Sequence, residues 1–260
     1  MTSARAPRYL YGIVRAGSLA DPHTLGLDDE PVEEVAKDGV AAVVSRLSGV
    51  VEATRERLGA HLRVLQELAE RTTVLPMRFG MVVPDDDALR ERVLAPRKRE
   101  FLGLLRDLDG MLEIDVKAYF RDEAVLPEIV AENPPIRELD ARIRRLPRSA
   151  SYYDRIRLGE LVVAAMSRKA EREGRELLRR LAPAAARVQA GPLGTERMVL
   201  NAAFLVPRAR LGAFDRAVAG AEAEAGGRLR LRSVGPLPPS SFASVDAEQG
   251  AGRDGRRRRR

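Results

Sequence analysis

The chain has 260 residues and no cysteine, a net charge of +7, 45% hydrophobic residues and 32% charged ones. That balance supports a buried core and argues against general disorder, and the length fits one large or two ordinary domains. The missing thiols exclude a disulfide scaffold, a thiolate metal site and a cysteine nucleophile, and are compatible with a reducing cytoplasm. No run approaches 18 consecutive apolar residues, and Met1 to Arg8 holds no apolar stretch of signal-peptide length.

Tyr9-Leu10-Tyr11-Gly12-Ile13-Val14 reads as a strand, rich in aromatic and β-branched residues. Gly17 to Asp29 reads as a loop. Val32–Val35 and Val40–Leu47 follow as short strands around a tight Lys37-Asp38-Gly39 turn. The spacing predicts a helix over Thr54 to Arg71 with Leu58, Leu62, Leu65 and Ala69 as its buried stripe, and His61 at the stripe's edge. Next comes the most apolar patterned run outside the helices, Thr72 to Pro84. It predicts two short core strands around a bulge: Pro76 cannot donate to a central ladder, and Gly80 permits a bend. Arg78 must emerge from this run to reach water or a carboxylate, because burying it alone is very costly. We expect it to anchor the junction of two domains. Asp85-Asp86-Asp87 suits the start of a helix, and Pro96 predicts a break into two pieces, Asp86–Leu94 and Pro96–Leu108.

Met111 to Phe120 alternates as a strand, with Leu112, Ile114, Val116, Ala118 and Phe120 on one face and Glu113, Asp115, Lys117 and Tyr119 on the other. Residues 122–150 read as an irregular insertion broken by prolines. Ser151 to Leu181 is a long helix whose stripe runs through Ile156, Gly159, Val163, Met166, Ala170, Leu177 and Leu181, with Gly159 expected to pack closely on a sheet. Strands Ala186–Ala190 and Met198–Val206 follow. Pro207 opens a helix with Leu211, Phe214, Val218 and Ala221 inward, and Arg228–Val234 forms a last strand with Arg228, Arg230 and Arg232 outward. The fold class is therefore α+β in two domains: a mixed α/β domain over residues 8–109 and a ferredoxin-like (βαββαβ) domain over 110–243 with the insertion after its first strand. Residues 244–260 carry six arginines against Asp246, Glu248 and Asp254, so this tail supplies +3 of the +7, and its composition predicts disorder.

A catalytic constellation is not visible. His23 lies in a loop without a ligand-spaced companion, and His-Glu-x-x-His, Gly-x-Ser-x-Gly and a phosphate-cradling Gly-rich loop are all missing from the sequence. Asp85-Asp86-Asp87 could hold a hard cation, although a helix start explains it as well. Arg228, Arg230 and Arg232 could meet acidic partner residues or phosphates. However, the expected sheet face shows little besides Tyr119 for base stacking, which argues against nucleic acid as a partner.

Five blocks occur in order: Tyr9 to Val14, Val74-Leu75-Pro76-Met77-Arg78-Phe79-Gly80, Lys117-Ala118-Tyr119, Asn201-Ala202-Ala203-Phe204-Leu205-Val206, and Gly235-Pro236-Leu237-Pro238-Pro239-Ser240-Ser241-Phe242. Together they resemble the gas vesicle accessory protein L/F family over about residues 8–243. Leu237 and Ser240 stand where that family usually has aromatic residues, and the arginine tail is not part of its pattern. The resemblance implies a non-enzymatic accessory or minor structural protein of gas vesicle assembly, without cofactor or metal, at the gas vesicle and in the cytoplasm. It would bind the hydrophobic shell protein and other accessory proteins during nucleation. Arg78, Arg228, Arg230 and Arg232 are the residues expected to meet partners. Two other readings stay open from the residues alone: a nucleic-acid- or small-ligand-binding module with a basic tail, and an enzyme whose site would be sought first at Arg78, Asp115 and Glu160.

Overall fold

The computed structural model describes residues 6–19, 24–147 and 150–243. His23 and the 244–260 tail lie outside the described residues. The described residues form a mixed α plus β fold with two sheets, divided between two compact units. One holds the chain up to Glu113 together with the segment from Pro236, and the other holds Ile114–Gly235. Residues 110–113 and 236–243, assigned on sequence to the second domain, thus cluster with the first unit.

The first unit is built on strand β1 (Arg8–Arg15), buried along all but its last residue. It pairs antiparallel with β3 (Val40–Arg46), which pairs with β2 (Glu33–Lys37). Asp38 and Gly39 join β2 and β3 with φ of 51° and 90°, the left-handed pair that a two-residue hairpin of the right twist requires. On its other side β1 pairs with β4 (Leu75–Pro76) and β5 (Val82–Val83), which share one edge in succession. Pro76 therefore sits at an edge, where its missing N–H costs no ladder bond. Gly12 opposes Pro76 across this pairing. A Cβ on Gly12 would lie 2.7 Å from Val74 Cγ2 and 2.9 Å from the Leu75 carbonyl oxygen, so the close approach of β4 needs glycine there.

Helix α1 (Arg55–Arg71) starts on Thr54, whose side chain accepts from the Arg57 N–H. Its buried side chains are Ala60, His61, Val64, Leu65, Leu68 and Ala69, while Leu58 and Leu62 are exposed. The buried stripe is thus rotated from the expected one, and His61 lies at its centre. Both rows are apolar; His61 is drawn inward because partners wait for it there. After β5, Asp85 caps α2 (Asp86–Ala88) by accepting from the Ala88 N–H at 2.7 Å. A π-helical segment (Leu89–Leu94) then runs without a break into α3 (Ala95–Asp107). The expected break at Pro96 does not occur. In an α-helix the proline ring would clash with the carbonyl four residues back, and the wider turn ahead of it lets the helix pass.

In the second unit the sheet order is β7-β8-β6-β9, from β6 (Met111–Phe120), β7 (Arg187–Ala190), β8 (Met198–Pro207) and β9 (Leu229–Leu237). The expected irregular insertion is two helices, α4 (Asp122–Glu132) and α5 (Pro134–Arg145). Pro134 and Pro135 occupy the first positions of α5, where an N–H would lack a partner in any case, and the Asn133 side chain donates to the Ile129 carbonyl at the end of α4. Helix α6 (Tyr152–Leu181) and α7 (Leu211–Glu224) complete the core with Val116, Phe120, Ile129, Met166, Leu177, Phe204, Phe214 and Leu229. Each such fully buried side chain contributes about 1.5–3 kcal/mol. Pro207 ends β8 and does not open the helix; α7 begins after a 3-10 turn, Arg208–Arg210. The glycine that permits close packing of α6 is Gly174, not Gly159: a Cβ on Gly174 would collide with the Val199 carbonyl oxygen, whereas Gly159 faces open space.

Candidate functional site

The Val74 to Gly80 block and β1 meet in a buried polar cluster. Tyr9, Tyr11, His61 and Phe79 form a box of rings with centroids 4.9 to 5.9 Å apart. His61 Nε2 lies 3.2 Å from the Met77 carbonyl oxygen, which only accepts, so Nε2 carries the proton. Nδ1 is then an acceptor and takes the Tyr9 O–H at 2.9 Å, while Tyr9 Oη accepts from the Gly80 N–H at 3.2 Å. This relay fixes both ends of the β4–β5 turn to α1 and β1. Burial pushes the Tyr9 phenol up to about 12 and lowers the His61 pKa, so both groups are neutral near pH 7. Tyr11 Oη bonds Ser45 Oγ at 2.9 Å and accepts from the Leu27 N–H at 2.7 Å. A Cβ on Gly26 would strike that same oxygen, which is why the loop carries glycine at this point.

Two further buried charges hold backbone segments. Arg8 is 1% exposed and donates to Asp86 from Nε at 2.7 Å and from Nη2 at 3.2 Å, with Glu33 at 3.2 Å from Nη1. The aspartate run is thus a helix cap at Asp85 and an ion-pair partner at Asp86. Glu113, also 1% exposed, accepts from the Ser241 N–H and Ser241 Oγ, both at 2.7 Å, and from Ser240 Oγ at 3.3 Å. It anchors the Gly235 to Phe242 block, in which Pro238, Pro239 and Phe242 are buried. The strand alternation of β6 placed Glu113 outward, and the serines that accept it into the interior are 127 and 128 residues away.

Arg78 stands exposed in the β4–β5 turn. Arg230 and Arg232 are exposed on β9, alternating with the buried Leu229 and Leu231, as the sequence pattern predicted. Arg228 differs from its neighbours: it precedes β9, is half-buried, and its guanidinium lies 2.8 Å from Glu173 and 3.7 Å from Glu128. Close by, Lys169 is 4% exposed and pairs with Glu132 at 2.8 Å and Glu128 at 2.9 Å. Among the hollows that the described residues form on the surface, two stand out. One, of about 550 Å³, is lined by residues including Asp28, Glu52, Arg57 and Arg63; the other, of about 420 Å³, by Glu132, Asn133, Lys169 and Arg172 among others. Arg78, Asp115 and Glu160 line neither hollow. Among the described residues no group of three or more His, Asp or Glu side chains could hold a metal ion, and no helix is long and apolar enough to cross a membrane.

These features define the class first: a mixed α plus β protein with two sheets, in which buried polar side chains such as His61, Arg8 and Glu113 hold backbone segments in place. Residues 7–244 match the family described as gas vesicle synthesis protein GvpL/GvpF, and the chain belongs to that family. Gas vesicle protein F of Streptomyces sp. (strain CB03234) is 36% identical over 237 residues, covering 90% of this chain and 98% of that protein. The fold resembles the crystal structure of GvpF from Anabaena sp. PCC7120 with a TM-score of 0.78, at 28% identity, over 92% of this chain and 99% of that one. It also resembles GvpF from Microcystis aeruginosa, with a TM-score of 0.76 at 26% identity, over 92% of this chain and all of that one. The resemblance read from the five sequence blocks is therefore correct.

Proposed function

We propose that this protein acts without catalysis, as an accessory factor that binds the hydrophobic gas vesicle shell protein and other accessory proteins while a vesicle nucleates. Membership of the family over nearly the whole described chain is the observation that carries this reading. Its setting is the cytoplasm and the growing vesicle. Order and topology support a ferredoxin-like second domain: once α4 and α5 are set aside as an insertion after the first strand, the order is strand, helix, strand, strand, helix, strand, with the first and third strands adjacent at the sheet centre. Such a sheet leaves β7 and β9 as edges open to strand addition, a mode in which backbone bonds give affinity and shallow side-chain pockets give selectivity. Arg230 and Arg232 on β9 and Arg78 on the β4–β5 turn are the proposed partner-facing cations; Arg228, engaged by Glu173 and Glu128, serves them by fixing the start of the strand.

Co-expression of the chain with the shell protein, followed by affinity capture of the chain, tests the proposal. Shell protein recovered in the complex is the expected result. Its absence, from cells in which both proteins accumulate, would remove the proposal.

A further inference from the structure

The stripe that periodicity assigns to the interior of α6 is only half covered. Its C-terminal part, Met166, Ala170, Leu177 and Leu181, is buried against the rest of its unit. Its N-terminal part is open: Ile156 is 46% exposed and Val163 44%, and Gly159 between them faces empty space; Tyr152, one step before the stripe as read from sequence, is 62% exposed. Tyr153, 83% exposed, packs edge-on against the Tyr152 ring at 5.3 Å. Residues 152, 156, 159, 163, 166 and 170 follow one another at alternating steps of four and three. That is the a/d spacing of a helix that receives a second helix, and the glycine leaves a notch for a facing side chain. The seam therefore continues beyond the part that its own domain fills.

From this geometry we infer that the first half of α6 is a docking seam for a short amphipathic helix of another protein, one whose apolar stripe is flanked by acidic residues. The inference rests on the reading that the chain works by binding other gas vesicle proteins, and it deepens that reading. Three observations select the occupant. The heptad step and the narrowness of the stripe suit a helix ridge better than a bilayer, which takes a broad apolar face. The surroundings carry a basic excess: in the last turn of α5 Arg142 pairs with Asp154 at the start of α6 and Arg144 pairs with Asp140, while Arg145, Arg155 and Arg157 are exposed against the single exposed Glu160 beside Gly159. A second copy would bring the same arginines against these, over a seam of only about three helical turns, too short for the interface of a stable dimer. The chain's own C-terminal tail, ending in five arginines, has the wrong charge as well.

The test uses the full chain and two synthetic helical peptides with the same leucine stripe, one flanked by glutamates and one by lysines, followed by fluorescence anisotropy. Saturable binding of the glutamate peptide is expected, weakened about tenfold or more by Ile156→Ser or by Val163→Ser, and weaker by a similar factor for the lysine peptide. Both positions are exposed, so the variants should keep the parent circular dichroism melt. Equal binding by parent and variants, equal binding of both peptides, or no binding would overturn the inference. So would seam-dependent attachment to anionic lipid vesicles in place of the peptide, or a dimer in sedimentation that Ile156→Ser dissolves. Shell-protein capture that persists while the peptide fails to bind removes the seam and leaves the functional proposal standing. Loss of capture by the parent chain removes that proposal, and the peptide assay still decides the seam.

Discussion

His61 shows how a single buried side chain couples stability to pH. The unfolded chain protonates histidine near pH 6.5, whereas burial keeps the folded imidazole neutral to lower pH. Below about pH 6.5 the unfolded state therefore binds more protons than the folded one, and stability falls as pH drops through the depressed folded pKa. Protonation would also turn Nδ1 from an acceptor into a donor facing the Tyr9 O–H. The urea midpoint should decline from pH 7 to 5, and His61→Leu should flatten that decline. At pH 7 the same substitution should cost about 1–3 kcal/mol, because the Met77 carbonyl and the Tyr9 hydroxyl lose their buried partner. Tyr9, raised to about 12, acts in the other direction. The unfolded phenol ionises near pH 10, so this contribution is present below pH 10 and is lost as pH rises toward 12. Gly12→Ala should destabilise by about 1–3 kcal/mol, since its Cβ meets the backbone of Leu75 and not only the flexible tip of a side chain.

At the scale of elements, α6 offers an internal control. Gly174→Ala drives a methyl into the Val199 carbonyl and should cost about 1–3 kcal/mol in chemical denaturation. Gly159→Ala places the same methyl in open space and should stabilise by up to about 1 kcal/mol through helix propensity alone. Opposite signs from one substitution in one helix would establish where the helix touches its sheet. The C-terminal segment depends on Glu113 in a comparable way. Glu113→Ala orphans the Ser241 N–H and should release the segment beyond Pro239, read as faster proteolytic cleavage near Phe242 with little change elsewhere.

For the whole molecule, the net charge of +7 and a pI near 10.2 guarantee some attraction to any polyanion. Filter binding to DNA should be weak and should vanish steeply with salt, as phosphate contacts without base stacking do. Arg230→Glu with Arg232→Glu should leave the melting temperature within a degree or two, because both side chains are exposed, yet reduce shell-protein capture.

The amino-acid sequence by itself determined most of the strands and the long helices, the Asp38-Gly39 turn, the exclusion of Pro76 from a central ladder, and the family; the two helices of residues 122–145 read in it as irregular. Periodicity, turn chemistry and short motifs are local properties, and local properties survive in one dimension. Tertiary structure decided which of two apolar rows on α1 turns inward, that Pro96 is passed by a π-helical turn, and that Gly174 carries the close contact. It also decided that Glu113 and His61 are buried. Periodicity reports how apolar a face is, but the cover of that face comes from distant chain. A polar side chain enters the interior only where remote partners such as Ser241 or Tyr9 are already in place to bond it. For the same reason the open stripe on α6 shows only in three dimensions: its sequence pattern promises a neighbour, and among the described residues the stripe is buried only from Met166 onward.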